Sequence, residues 1–158
     1  MVQDGILRRE GPWLKLPSHA VRLTVTDERL WVRIEQILEC TRFQPPRVRD
    51  FARMLGAREE KVRQLLRRLT QMGRLIEVAH DHFFTRDRVV ESAAAVRLLA
   101  ERRQNGKITA AAFRDRIGTG RKLAIQILEF FDRTCTTIRE GDLRRLLGGP
   151  ARVIKRRR

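Results

Sequence analysis

The chain repeats itself. Slid by 62 positions with no gap, residues 51–76 fall on residues 113–138: Phe51 on Phe113, Gly56 on Gly118, Gln64 on Gln126, Leu66 on Leu128 and Ile76 on Ile138. Similar residues fill the intervals, with Leu55 on Ile117, Leu65 on Ile127 and Leu69 on Phe131. The matched apolar positions keep a helical period, so what is repeated is a folding unit. The 158 residues accommodate two such units of about 60 residues each. A unit that small buries only ~60% of its unfolded surface. No Gly/Pro-rich linker parts the copies, so they are expected to pack together or to be held semi-rigidly by a helix starting near Asp87.

Each copy reads as three helices and a hairpin. In the first, Thr26-Asp27-Glu28 has the pattern of a helix start, a Thr cap followed by acids in the first turn. Leu30, Ile34, Ile37 and Leu38 make an apolar stripe. Pro45-Pro46 stops one helix and opens a second bearing Val48, Phe51, Ala52 and Leu55, closed by Gly56. A third begins near Arg58 with Val62, Leu65, Leu66, Leu69 and Met72 inward and Gly73 at its end. The hairpin is Leu75 to Val78, a His80-Asp81-His82 turn, then Phe83-Phe84-Thr85. The second copy has a helix from about Asp87 to Arg103 and a short one with Phe113 and Ile117 ended by Gly118. A helix from Arg121 to about Arg133 then turns Ala124, Ile127, Leu128 and Phe131 inward. Its hairpin runs Thr136 to Arg139, a Glu140-Gly141-Asp142 turn, then Leu143 to Leu146. Three helices and a β-ribbon is the winged-helix form of helix-turn-helix. The fold class is therefore mainly α with small β-wings, as tandem winged-helix domains.

The expected boundaries are 23–86 and 87–147. Residues 1–22 carry a hairpin pattern, Ile6 to Arg9 and Trp13 to Leu16 about Glu10-Gly11-Pro12, and are expected to be the wing of a preceding unit. Residues 148–158 join Gly148-Gly149-Pro150 to the run Lys155-Arg156-Arg157-Arg158, and a disordered basic tail is expected there.

The net charge is +16, from 35 Lys+Arg against 19 Asp+Glu, and only five of the cations are lysines. Guanidinium forks suit phosphate and guanine edges, so a polyanion is the expected partner. Residues 89–158 carry 17 basic and 7 acidic side chains, against 14 and 10 in residues 23–88, which places the anion on the second copy.

Chemistry of other kinds finds little support. There is no G-x-x-x-x-G-K-[ST], and Gly118-Thr119-Gly120 follows a helix rather than a strand, so it reads as a helix-turn-helix turn. His80 and His82 lack further ligands at metal spacing. Cys40 and Cys135 lie far apart and outside any C-x-x-C, which excludes a four-Cys zinc site or a disulfide scaffold. Asp115 and Asp132 sit among arginines as ion-pair partners. No apolar run nears the roughly 18 residues of a membrane span, and no basic-then-apolar leader pattern opens the chain. No catalytic residue, metal or cofactor is expected, and no membrane partner.

The two third helices differ where a helix-turn-helix meets nucleic acid. The first starts Arg58-Glu59-Glu60-Lys61, the second Gly120-Arg121-Lys122-Leu123. Acids at a helix start complement its dipole and repel phosphate; Arg121 and Lys122 oppose the dipole, at roughly 0.3–1 kcal/mol each, and suit an anion there. Thr119 is placed to cap this helix or meet a phosphate. The wing adds Arg139, Gly141, Arg144 and Arg145, and the preceding helix adds Arg114 and Arg116. Phe130 is expected in the core rather than stacked on a base.

The run Phe113-Arg114-Asp115, Gly120-Arg121-Lys122, Ala124-Ile125, Ile127 to Arg133 and Arg139 to Asp142 resembles the last winged-helix domain of the bacterial selenocysteine-specific elongation factor family, SelB. Arg63 to Leu69 and the Gly11-Pro12-Trp13 hairpin resemble the units before it. The resemblance implies RNA binding: the family's C-terminal winged helices bind the selenocysteine insertion element, an mRNA hairpin, chiefly through the last unit. Carried over, the RNA-binding residues are Arg114, Arg121, Lys122, Arg139, Gly141, Arg144 and Arg145. It further implies a cytoplasmic monomer that meets the ribosome through its parent factor. The family's GTPase part has no counterpart in these residues. Cys135 departs from the pattern, since the family often has Gly there, and so does the basic tail. The competing expectations are a winged-helix DNA-binding regulator and a protein-interaction winged helix, the latter suited to the acidic Glu59-Glu60 start.

Overall fold

Thr24 sets the start of the first long helix. Its hydroxyl accepts the Asp27 N–H at 3.1 Å, and the Asp27 carboxylate accepts the Thr24 N–H at 3.5 Å, a reciprocal capping box. The cap is thus Thr24 and not the expected Thr26, which lies inside the helix. The computed structural model describes residues 8–10, 13–15 and 21–147; the Gly11-Pro12 turn and the 148–158 tail lie outside the described residues.

The first copy comprises α1 (Val25–Thr41), α2 (Val48–Leu55), α3 (Glu59–Gln71), β3 (Leu75–Ala79) and β4 (His82–Thr85), after the antiparallel pair β1 (Arg8–Glu10) and β2 (Trp13–Lys15). The second comprises α4 (Arg86–Glu101), β5 (Lys107–Thr109), α5 (Ala110–Ile117), α6 (Arg121–Arg133), β6 (Thr137–Glu140) and β7 (Leu143–Leu146). These are tandem winged helices with small antiparallel sheets.

The repeat survives at the level of backbone angles. Gly56 and Gly118 end α2 and α5 in the left-handed region, at φ 61 and 70. Gly73 and Cys135 end α3 and α6 alike, at φ 75 and 55. Arg74 N–H reaches Leu69 O and Thr136 N–H reaches Phe131 O, both at 2.9 Å, the same Schellman closure twice. The 62-residue register ends where a bulge between Glu77 and Ala79 adds a residue to the first wing.

One difference between the copies has a covalent cause. Lys107–Thr109 forms a third strand, giving the order β5-β7-β6. The residues 62 positions earlier begin with Pro45-Pro46. Proline has no N–H to donate to a ladder, so the first wing stays two-stranded. This strand was not among the expected elements, although Ile108, 1% exposed, anchors it in the core.

Two cores result, and they share a strand. Trp31, Ile34, Leu38, Phe51, Leu65, Leu66 and Leu69 fill the first; Trp31 was missing from the expected stripe, and Met72 is only half-buried. The second contains Val96, Phe113, Ile127, Leu128 and Phe131, and with them Phe43, Val78 and Phe84 of the first copy. Side chains alternate along a strand. Phe83 therefore enters the first core and its neighbour Phe84 the second, each 2% exposed. Polar bonds run along the same seam. Thr119 Oγ1 donates to Phe43 O at 2.7 Å, Gln44 Nε2 to Gly118 O at 3.1 Å, and Arg133 Nη2 to Val78 O at 2.8 Å. Arg88 pairs with Glu39 at 3.1 Å and with Glu91 at 2.6 Å, and lies 5.8 Å from the Phe43 ring centre. The copies are therefore packed, as the absence of a linker implies.

Two predictions follow from this packing. Phe84→Ala opens a cavity in the shared core and should remove about 3–5 kcal/mol of stability in a urea titration; a loss below about 1 kcal/mol would mean that the seam carries little of the fold. Cys135→Gly removes a left-handed strain of about 1–2 kcal/mol, partly offset by glycine's chain entropy of roughly 0.5–1 kcal/mol. It should raise the melting temperature, and a fall would contradict the reading of this turn.

Candidate nucleic-acid interface

The site begins at the uncapped start of α6. Its N-cap is Gly120, no side chain caps it, and its first turn holds no acid. Arg121 and Lys122 stand exposed there. The start of α3 carries Glu59 and Glu60 instead. Thr119 takes neither expected role. Its hydroxyl is turned to Phe43 O, and the residue is 8% exposed.

Beside Arg121 a cavity of about 600 Å³ opens between α5, α6 and the second wing. Arg114, Arg121, Arg139 and Arg144 line it together with Asp142, Ile125, Ala110 and Ala111. The wing's alternation decides which basic residues face it. Arg139 is paired directly with Arg144 across the strands, so both share a face, and Arg144 is also opposite Ile108. Ile138, Arg145 and Lys107 share the other face.

The expected residues therefore divide. Arg114, Arg121 and Arg139 come together around the cavity. Arg114 also meets its neighbour Asp115 at 2.6 Å, a surface contact that competes weakly with a ligand. Arg139 is held in place by its Nε, which donates to Gly141 O at 2.9 Å. Gly141 makes the wing turn at φ 63, a conformation that favours glycine.

Arg144, which also lines the cavity, and Arg145 are both paired with acids of the fold. Arg144 is 4% exposed, and its Nε donates to Asp132 at 3.0 Å while Thr137 donates to the other oxygen of that carboxylate. Its charge is engaged inside the fold, where it ties the wing to the end of α6. Arg145 lies on the opposite face, bound to Glu140 at 2.9 Å, with Lys107 on the same carboxylate at 2.7 Å. The Lys107 ammonium and then the Arg145 guanidinium hold the Glu140 carboxyl below its usual range. Lys122 does not line the cavity. Phe130 is half-buried against the second core, with its ring centre 5.8 Å from that of Phe131.

Ile125 and Asp142 complete the lining. Ile125 was legible from its spacing of four from Arg121, which puts both on one helix face. Asp142 belongs to the wing segment Arg139 to Asp142 that carries the family resemblance.

His80, Asp81 and His82 form no metal site, and no cluster of three potential ligands occurs among the described residues. Arg63 claims Asp81. Partial burial pushes the Asp81 carboxyl up, but the hydrogen bonds and charge of Arg63 outweigh it and hold the group below its usual range. Burial, then the charge of Arg47, hold the His82 imidazole below its usual range. Above the unfolded pKa of about 6.5 the ring is neutral in both states. As pH falls below that value the unfolded chain takes up the proton first, so stability should decline from about pH 7 towards 5. Thermal melts should show this slope in the wild type and a flatter one in His82→Gln; equal slopes would remove His82 as the cause.

Two family models match the chain. One described as the winged-helix domain of the selenocysteine-specific elongation factor covers residues 23–84, and one described as elongation factor SelB, winged helix, covers residues 101–146. The chain is 37% identical over 142 residues to the selenocysteine-specific elongation factor of Escherichia coli strain K12, aligning 90% of this chain with 22% of that protein. It is 30% identical over 146 residues to that of Desulfomicrobium baculatum, aligning 92% of this chain with 23% of that one. It thus spans about a fifth of the length of these relatives. Among solved structures, the mRNA-binding domain of elongation factor SelB from E. coli, in complex with SECIS RNA, matches with a TM-score of 0.70 at 37% identity, covering 80% of this chain and all of that one. With that domain matched along its whole length and both copies matched by family models, the chain belongs to the winged-helix domains of the SelB family.

Proposed function

We propose that this chain binds an mRNA hairpin, a selenocysteine insertion element, and so supports selenocysteine incorporation during translation. One observation carries the reading. The groove lined by Arg114, Arg121 and Arg139 adjoins an uncapped helix start, on a chain that over 80% of its length is similar to an mRNA-binding domain solved with SECIS RNA.

The chemistry is that of positioning plus local reading. Arg121 and Lys122, with the free N–H groups of the first turn of α6, suit phosphate oxygens. Arg139 on the wing reaches the backbone from the other side of the groove. The apolar floor at Ile125 and Ala111 takes the face of an unstacked base, and Asp142 offers an acceptor to a base donor. An A-form major groove is too narrow to admit α6, so recognition falls on a loop or bulge. The DNA-regulator reading needs a base-reading outer face on α6. Ile125 and Gln126 are half-buried there, which weakens it.

In this reading residues 87–147 are the RNA-binding domain, 23–86 a second winged helix, and the β1–β2 hairpin the wing of a preceding unit. The module is a non-catalytic cytoplasmic monomer, and it meets the ribosome through the parent factor. No helix among the described residues is long and apolar enough to cross a membrane.

Arg121→Ala should weaken binding of a short RNA hairpin by about 1–3 kcal/mol and reduce the salt slope by about one. Arg67→Ala also removes one exposed charge, but from α3, behind the acidic helix start, and should change affinity little. Anisotropy titrations at several fixed salt concentrations compare them. Equal losses would reduce the interaction to diffuse charge, and tighter binding of duplex DNA than of the hairpin would favour the regulator.

A further inference from the structure

We propose that Asp132 is a positioning residue for RNA binding: through Arg144 it locks the second wing to α6 and so fixes Arg139 across the groove from Arg121. The inference rests on the RNA-binding reading above and adds to it a residue that acts through another rather than by contact.

Two pieces of the fold carry the groove. Arg121 and Ile125 stand on α6, and Asp132 follows Arg121 by eleven residues of the same helix. Eleven residues make about three turns, so Asp132 lies on the face of Arg121, roughly 16 Å further along. Arg139 and Arg144 stand opposite each other on β6 and β7. Asp132 joins the two pieces. One of its oxygens accepts Arg144 Nε at 3.0 Å, from β7, and the other accepts the Thr137 hydroxyl, from β6. Arg144 and Thr137 are 4% and 2% exposed, so the joint is shielded from water. A carboxylate that holds both strands by directed hydrogen bonds sets the angle of the wing against the helix.

The joint also governs charge. Arg139 and Arg144 face each other directly, and like charges so placed repel. Asp132 neutralises Arg144, so Arg139 keeps its place above it with its Nε on Gly141 O.

The first copy shows that the fold does not require this joint. The residue 62 positions before Asp132 is Thr70, whose hydroxyl donates to Leu66 O of its own helix. The wing pair matching Arg139 and Arg144 is Glu77 and Phe83, and Phe83 packs in the first core. A winged helix of this design therefore closes on an apolar side chain. Exchanging a buried ion pair for apolar packing is often neutral or stabilising. Asp132, in the last turn of α6, also opposes the helix dipole. The second copy keeps the costlier joint, and keeps it in the unit whose helix start and wing are basic.

The test is an anisotropy titration of the full chain with a short RNA hairpin at several salt concentrations, with thermal melts alongside. Asp132→Asn removes a negative charge from the second copy, so through charge alone it should tighten binding. The positioning role predicts the opposite, a loss of about tenfold. Glu129→Gln, an exposed change on the same helix with the same gain in charge, should bind as wild type or tighter. In an Arg139→Ala background Asp132→Asn should cost little more, because the contact it positions is already gone. Asp132→Thr combined with Arg144→Phe installs the first copy's residues at unchanged net charge. That pair should melt at or above the wild-type temperature and still bind about tenfold more weakly, and it carries the test if Asp132→Asn does not fold. Wild-type or tighter binding by either variant, while Arg121→Ala loses affinity, would overturn the positioning role and leave the RNA-binding reading standing. A combined variant that no longer folds would overturn it too, since the ion pair would then belong to the fold itself. Losses from Asp132→Asn and Arg139→Ala that simply multiply would have the same consequence. Absence of hairpin binding by the wild type would overturn both readings.

Discussion

The structure depends on one strand that is buried on both faces. In β4, Phe83 packs into the first core and Phe84 into the second, so a single three-ångström step along the backbone joins two domains. Phe43 and Val78 complete the second core from the first copy's side, and α6 lies over them. A 60-residue winged helix has a marginal core of its own. Here the second copy borrows apolar area from the first, and the helix proposed to meet RNA is seated on its neighbour's wing. The Thr119–Phe43 and Arg133–Val78 hydrogen bonds pin the start and end of that helix to the same neighbour.

The two copies share a fold but differ in their charge. The helix starts of α3 and α6 have the same backbone course, yet Glu59 and Glu60 complement the dipole in one, while Arg121 and Lys122 oppose it in the other. The wings differ as well. The first is consumed as packing surface; the second projects Arg139 over the groove and keeps Arg144 beneath it, tied to Asp132. One copy supplies a platform, and the other carries the face proposed to bind RNA.

Much of this was legible in the residues. The helical stripes of α2 and α3 recur 62 residues on in α5 and α6, and Gly56 recurs as Gly118, because the same backbone turns repeat. Phe83-Phe84-Thr85 was legible as the second arm of a hairpin, although which core each ring enters depends on tertiary packing. What stayed hidden was of that kind. Arg144 and Arg145 are indistinguishable as letters; only the register with Arg139 and Ile138 sends one inward and the other out. Thr119 had the chemistry of a cap, and a carbonyl 76 residues away took its hydroxyl. β5 escaped because three residues are too short for a periodic signal, and the cap moved from Thr26 to Thr24 because both offer the same hydroxyl.

The most direct test of the account is a backbone and arginine Nε–H spectrum of the labelled chain, recorded while a short RNA hairpin is added. The account predicts shifts at the amides of Gly120 to Leu123 and at the side chains of Arg114, Arg121 and Arg139, with Arg145 and the amides of Glu59 to Lys61 unmoved. Equal or larger shifts at the start of α3, or on the outer wing face at Arg145, would contradict it.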